Sequence, residues 1–256
     1  PFERHRSNRV DNPDMWWFSH DLLRVVIPFR CVACDQISSA LLCSICALSA
    51  NPFPRGSCAG CGARSKPHSG ARSWGPCARC DVLSGTSISG IHISWEYGGS
   101  IAQALRAAKL GSRIDRATSM GALGGVNPPP EWLLEDVDVV VPVPPSPDRL
   151  RRVGFDVVTE FASVWARCLE RPLLTGAVAR KRGASQTRLS PLERRDSARS
   201  NFTAGHRPDC VRGKRVLLVD DIRTTGATLS AVSLLLEAQG VSGCVAWVLC
   251  GHNAPE

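Results

Sequence analysis

The sequence predicts an α/β protein: a parallel sheet with helices on both faces, preceded by a small segment built around metal. Three observations carry this. Eight of twelve cysteines fall in four CxxC pairs between Cys31 and Cys80. Short apolar runs, each long enough to be buried on both faces, then alternate with amphipathic helical stretches. Finally, "RVLLVDDIRTTGATLSAV" (Arg215 to Val232) carries a buried strand into two adjacent acids and a small-residue turn before an apolar-periodic run.

A chain of 256 residues with 43% hydrophobic content suffices for one large domain, or for a core domain with an appendage. No run approaches the roughly 18 uncharged apolar residues of a membrane span. "MWWFSHDLLRVVIP" (Met15 to Pro28) is interrupted by His20, Asp21 and Arg24. The first residues lack the apolar core and cleavage site of a secretory signal, so the expected compartment is the cytosol. Residues 1–14 are polar and charged, and the apolar pattern begins at Met15. The expected organisation is an N-terminal extension over 1–14, a cysteine-rich segment over 15–85 and the sheet domain over 86–256.

Two thiolates three positions apart can grip one ion from a tight knuckle, and two knuckles complete the tetrahedral shell of zinc. The pairs are Cys31/Cys34, Cys43/Cys46, Cys58/Cys61 and Cys77/Cys80, with Gly60 and Gly62 suiting the third turn. Two all-thiolate sites follow, structural because no position stays open for water. In a reducing compartment zinc outweighs disulfides and redox thiols. Joining adjacent knuckles groups Cys31, Cys34, Cys43 and Cys46 on one ion and Cys58, Cys61, Cys77 and Cys80 on the other. Interleaving would join the first pair with the third; the adjacent scheme is favoured. So short and polar a segment would draw much of its folding free energy from metal. The isolated Cys168, Cys210, Cys244 and Cys250 are expected as small buried hydrophobes.

Beyond the cysteines, "SGIHISWEYGG" alternates as a strand, with Ile91, Ile93 and Trp95 expected on one face. "SIAQALRAAKLG" sets Ile101, Leu105 and Ala108 at helical spacing before a stop at Gly111. "GALGGVNPPPEW" reads as a Pro/Gly-rich interruption. "VDVVVPVP" is a strand ending in prolines, and "FDVVTEFASVWARCLE" is a helix directing Val157, Phe161, Val164 and Leu169 inward. A short strand "GAVAR", a basic loop, the strand "RVLLVDD", the helix "GATLSAVSLLLEAQG" and the strand "GCVAWVLC" complete the order. In such sheets ligands bind beyond the carboxyl ends of the strands, where Asp220 and Asp221 lie.

At a strand end two carboxylates can turn toward the crevice and accept from two neighbouring hydroxyls. "RTTGAT" adds a glycine and threonine hydroxyls at a helix N-terminus, so donors converge on an anion. A phosphate and a diol one sugar apart fit this layout, which describes a ribose 5-phosphate. Thr224, Thr225, Gly226, Ala227 and Thr228 would surround the phosphate, and Asp220 and Asp221 would hold the 2- and 3-hydroxyls. A Walker-type site fits less well, since the turn has no GxxxxGK[ST] string and no lysine.

"VLLVDDIRTTGATL" resembles the phosphoribosyl-diphosphate (PRPP) motif of type I phosphoribosyltransferases. In order, the four CxxC pairs, Tyr97 with Gly99, "LRAAKLG" through Lys109, "VVPVPPSPDRLRRVGFD", "ARKRGASQTRLSPLERR" and the motif resemble the ComF family of competence-related proteins. The resemblance covers nearly everything from Met15 onward. It implies a phosphoribosyltransferase-like domain behind a zinc ribbon, associated with internalised single-stranded DNA in transformable bacteria.

Carried over by position, it makes PRPP or a nucleotide the ligand and magnesium its companion. It departs where relatives show Arg-Gly-Phe-Asn-Gln: here stand Val153, Gly154, Phe155, Asp156 and Val157. Arg149, Arg151 and Arg152 lie close enough in sequence to supply the missing diphosphate contact. Arg182, Gln186, Leu189, Ser190 and Arg194 match the family's later basic loop, and Ala184 to Arg194 is a candidate lid. No residue reads as a base for an acceptor amine.

The other reading is a module handling single-stranded DNA beside the DNA-uptake machinery. From Pro144 to Arg215 there are 16 Lys or Arg against 7 Asp or Glu, while the whole chain carries +8. Such a basic stretch suits a polyanion, with Trp74, Trp95 or Trp132 as stacking platforms.

Overall fold

The computed structural model describes residues 30–54, 85–111, 113–182 and 200–252. In chain order its strands are β1 (Ile88–Glu96), β2 (Val139–Pro142), β3 (Val178–Arg180), β4 (Phe202–Ala204), β5 (Arg215–Arg223) and β6 (Gly243–Gly251). Its α-helices are α1 (Ser44–Ala47), α2 (Gly99–Leu110), α3 (Ile114–Val126), α4 (Glu131–Leu134), α5 (Pro147–Val153), α6 (Val157–Cys168) and α7 (Ala227–Ala238).

Four strands pair in parallel in the order β1-β6-β5-β2. The reason lies in composition: Val216 to Val219 and Cys244 to Cys250 are buried throughout, which only a sheet covered on both faces permits. Alternation sends Leu217, Val219, Val245 and Trp247 into one layer with α2, α3 and α6. Val216, Leu218, Ala246 and Val248 enter the other with α7 and the β3–β4 pair. The outer edge of β2 is covered at Val140, which exchanges backbone bonds with Pro172 and Leu174.

Three expectations are corrected here. The stretch "GALGGV" is the second half of α3, not an interruption. Glycine costs a helix about 1 kcal/mol relative to alanine, yet here it permits close approach to α6. A Cβ at Gly121 would stand 2.9 Å from the Val164 Cβ, and one at Gly124 would enter the Trp165 ring. Three carbonyls in the second half of the helix also accept from side chains outside it. Trp165 Nε1 donates to Gly121 O (2.8 Å), Trp95 Nε1 to Leu123 O (2.9 Å) and Ser94 Oγ to Gly124 O (3.1 Å).

Trp95 therefore does not share a face with Ile91 and Ile93. It joins the α3 layer, because its indole proton finds its acceptor there. "GAVAR" pairs with the unforeseen β4 as a separate antiparallel ribbon and takes no place in the parallel sheet. Cys244 and Cys250 are buried as expected, whereas Cys168 and Cys210 are half-buried. Among the described residues no helix is long and apolar enough to cross a membrane.

Candidate functional site

β5 runs on to Arg223, so Asp220 and Asp221 are its sixth and seventh residues and both are buried. Alternation separates their surroundings. Asp221, following Leu217 and Val219, meets Lys109 from the last turn of α2, with Nζ 2.5 Å from Oδ2. Asp220 continues the other row, feels the charge of Arg180 on β3, and accepts the Asp221 N–H through Oδ1 at 2.8 Å.

Burial, then repulsion from Asp221, pushes the Asp220 carboxyl up to about 8 against the opposing pull of Lys109 and Arg180. Burial also works against the Lys109 ammonium, but the two aspartates outweigh it and hold the group above its usual value. The Cys250 thiol, wholly buried beneath, donates to Asp221 O at 3.3 Å.

α5 and the turn that follows it bring in two further groups. Asp156 caps α6: its Oδ2 accepts from Thr159 N at 2.8 Å and Thr159 Oγ1 at 2.9 Å, as an Asp N-cap should. Its Oδ1 is buried and has no hydrogen-bond partner among the described residues. Burial raises this carboxyl, as does the charge of Asp221, while the Thr159 bonds and Arg149 oppose them. Arg149 Nη2 is likewise buried and unpartnered. Arg151 and Arg152 are exposed, and Arg151 pairs with Asp148 on its own helix.

After β5 the chain turns through exposed Thr224 and half-buried Thr225 to Gly226, whose φ of +77° glycine alone adopts readily. No side chain caps α7 through Gly226; the nearest contact is Ala227 N donating to Thr225 Oγ1 at a long 3.4 Å. The first-turn amides thus keep donor capacity beside the acids. Buried Arg223 anchors the turn, donating from Nη2 to His252 O (2.6 Å) with its guanidinium 5.6 Å above the Phe53 ring.

Of the residues expected at this site, Asp220, Asp221, Arg149 and the 224–228 turn lie on connected elements around one strand end. Arg182 is exposed, and Gln186, Arg194 and the 184–194 lid fall outside the described residues. Lys109, Asp156 and Arg180 had been given no role. Asp156 was readable as a helix cap from its spacing to Thr159. Beyond the family resemblance that includes "LRAAKLG", nothing in the sequence connects Lys109 or Arg180 with the acids, because each arrives on a different element.

The four-cysteine cluster lies ahead of the sheet. The Sγ atoms of Cys31, Cys34, Cys43 and Cys46 all lie within 4.8 Å of one another. Cys34 and Cys43 are 3.7 Å apart, against about 3.8 Å for the edge of a tetrahedron with zinc–sulfur bonds near 2.3 Å. Four thiols and this spacing fit one zinc, in the adjacent-knuckle scheme.

Without a cation the thiols compete. Burial opposes ionisation of Cys31, but backbone hydrogen bonds outweigh it and bring it down to about 6. Burial and then its three neighbours push Cys46 well up. The knuckle docks on the sheet domain through Ser100 Oγ to Cys46 O (2.7 Å) and through Asp35, which pairs with Arg116 (2.7 Å) and Arg113 (3.2 Å). Cys58, Cys61, Cys77 and Cys80 lie outside the described residues.

Comparison with known proteins agrees with this fold. Residues 159–256, from α6 onward, match the phosphoribosyl transferase domain. The class is therefore a parallel α/β domain of phosphoribosyl transferase type with a thiolate cluster ahead of it. The chain is 33% identical to competence protein F of Haemophilus influenzae over 113 residues, 44% of this chain and 49% of that protein. It spans about half the length of that relative.

Among solved structures, glutamine PRPP amidotransferase from B. subtilis is similar at 23% identity, over 53% of this chain and 27% of that one, with a TM-score of 0.35. Hypoxanthine phosphoribosyltransferase from Staphylococcus aureus matches at 16%, over 54% and 65%, with a TM-score of 0.32.

Proposed function

We propose that the crevice at the end of β5 binds PRPP, or the ribose 5-phosphate part of a nucleotide, together with magnesium. The supporting observation is the succession, on one continuous segment, of two buried acids, a glycine turn and a helix N-terminus without a side-chain cap. The amides of the turn and the hydroxyls of Thr224, Thr225 and Thr228 would donate to the 5-phosphate. Asp220 and Asp221 would accept from the ribose hydroxyls, one from each side of the strand. Their oxygens are the hard donors that magnesium takes. When bound, magnesium would offset charge between the diphosphate and those hydroxyls.

Arg149 from α5 would stabilise charge growing on a departing diphosphate while the sugar passes through an oxocarbenium-like state. Transfer to an acceptor then depends mainly on positioning. The acceptor's chemistry is set by whatever covers the sugar's anomeric face. Cys58, Cys61, Cys77 and Cys80 would hold a second structural zinc, and the protein would act in the cytosol.

The test is a titration of PRPP with magnesium into the wild-type protein and Asp221→Ala, followed by a diphosphate-release assay across a panel of bases. Loss of binding in the variant by about a hundredfold or more is expected; equal affinity in the two proteins would reject the assignment. Turnover with any base would make the protein a transferase.

A second reading, binding of single-stranded DNA, draws on the exposed Arg151, Arg152, Lys181, Arg182, Arg207 and Arg212 of the basic stretch. Trp95 does not serve it, being buried with its indole N–H bonded to Leu123 O. Of the other two platforms, Trp132 is 38% exposed and Trp74 lies outside the described residues. Oligonucleotide binding that weakens steeply with salt would support this reading.

A further inference from the structure

We propose that the cysteine knuckle and the corner between α2 and α3 present an apolar docking face, and that its occupant is this chain's own segment Met15–Phe29. None of the residues involved is assigned to the crevice at the end of β5, so the proposal stands whether or not that crevice takes a sugar phosphate.

Exposed apolar side chains scattered singly are ordinary on a protein surface, whereas a group of them marks a contact. Ile37, Ile45, Leu48, Leu110 and Ile114 are all between 51% and 86% exposed. The first three belong to the knuckle. α1 buries Cys46, whose carbonyl accepts from Ser100 Oγ, and leaves Ile45 and Leu48 to solvent. Ile37 follows Asp35, the residue that ties the knuckle to Arg113 and Arg116. On the other side of that contact Leu110 and Ile114 flank Arg113 in sequence. Cys31, Val32 and Ala33 are buried in the core shared with the sheet domain. The knuckle thus has a packed inner side and an apolar outer one.

The chain leading into the knuckle is the occupant best placed to cover that side. Arg30 is the first described residue, and it pairs with Ile37 in an isolated antiparallel bridge. Phe29 is therefore held within one residue of the face. The fifteen residues "MWWFSHDLLRVVIPF" lie outside the described residues, and ten of them are Met, Trp, Phe, Leu, Val or Ile. Fifteen residues can reach up to roughly 50 Å, well beyond the length of α2, about 18 Å. Attachment at Arg30 makes the encounter intramolecular, at an effective concentration on the order of millimolar. A second copy or a separate partner has no such advantage.

The experiment places the photo-crosslinker p-benzoylphenylalanine at Leu48 of the full, zinc-loaded chain, irradiates it at low and high protein concentration, and maps the products by mass spectrometry. Crosslinks to residues 15–29 of the same chain are expected at both concentrations. Crosslinks confined to a second copy would make the face a dimer contact and overturn the proposal, as would an absence of crosslinks to 15–29.

Hydrogen exchange on the full chain supplies an independent measurement. Leu48→Asp and Ile45→Asp should each speed exchange over residues 15–29 about tenfold or more and leave the amides of β5 and β6 protected. Rates over 15–29 that are already those of a free peptide in the wild type, or that neither variant changes, would reject the contact. Should either variant lose protection in β5 and β6 as well, Trp17→Asp replaces it. That change in the segment itself should lower the crosslinking yield from Leu48 about tenfold; an unaltered yield would reject the assignment.

Discussion

Two neighbouring regions of the same sheet obey different rules. Where β6 and β1 cross the α3–α6 layer, Trp165 and Trp247 stack at 3.6 Å with 7° between their planes. There the indole protons of Trp95, Trp165 and Trp247 all have acceptors, the last being Ser94 Oγ at 2.9 Å. At the carboxyl end of β5, Arg149, Asp156 and Arg180 keep buried polar atoms without hydrogen-bond partners among the described residues, and Asp220 sits against another carboxylate. Unpaired buried polar groups cost folding free energy. Every indole proton in one layer has its acceptor, while these groups keep unspent hydrogen-bonding capacity, which suits the ligand site proposed above.

This contrast can be broken by substitution, beginning with the layer that holds the fold. Trp165→Ala removes the stack, the bond to Gly121 and the ring against Gly124, and should cost about 3–5 kcal/mol in denaturant unfolding. A loss under about 1 kcal/mol would show that the indole layer is not the stabilising one.

At the site the expected direction reverses. Asp220 holds its proton up to about 8 in the fold, against about 4 unfolded. The stability it contributes is therefore complete below about pH 4 and lost as pH rises toward 8. Asp220→Asn, neutral throughout, should gain on the wild type across that window while losing ligand affinity. A variant no more stable than wild type at pH 8 would contradict the account.

The smallest effect sharpens the same contrast from the other side. Burial lowers His92 to about 4, and its ring donates from Nε2 to Asn127 O at 2.9 Å. A depressed histidine contributes stability present above about 6.5 and lost as pH falls toward 4. His92→Gln should flatten that acid limb, measured as the change in unfolding midpoint between pH 7 and pH 5. An unchanged slope would remove His92 from the explanation.

What the sequence disclosed follows from how far each feature reaches along the chain. β5, its acids, the glycine turn and α7 are contiguous, so their order was legible, as was the pairing of Cys31/Cys34 with Cys43/Cys46. Lys109, Asp156 and Arg180 come from α2, α6 and β3, and only the sheet topology brings them to Asp220 and Asp221. The glycines of α3 misled because the residue that breaks an isolated helix is also the residue that lets two helices touch. Trp95 misled because period-2 alternation does not foresee an indole proton seeking the carbonyl of Leu123.

The central claim is that the end of β5 clasps one phosphorylated pentose. It is tested most directly by calorimetry of ribose 5-phosphate with magnesium on the wild-type protein beside Asp221→Ala. The account predicts one ligand per chain in the wild type and no measurable heat in the variant. Absence of binding in the wild type, or binding that Asp221→Ala leaves intact, would contradict it.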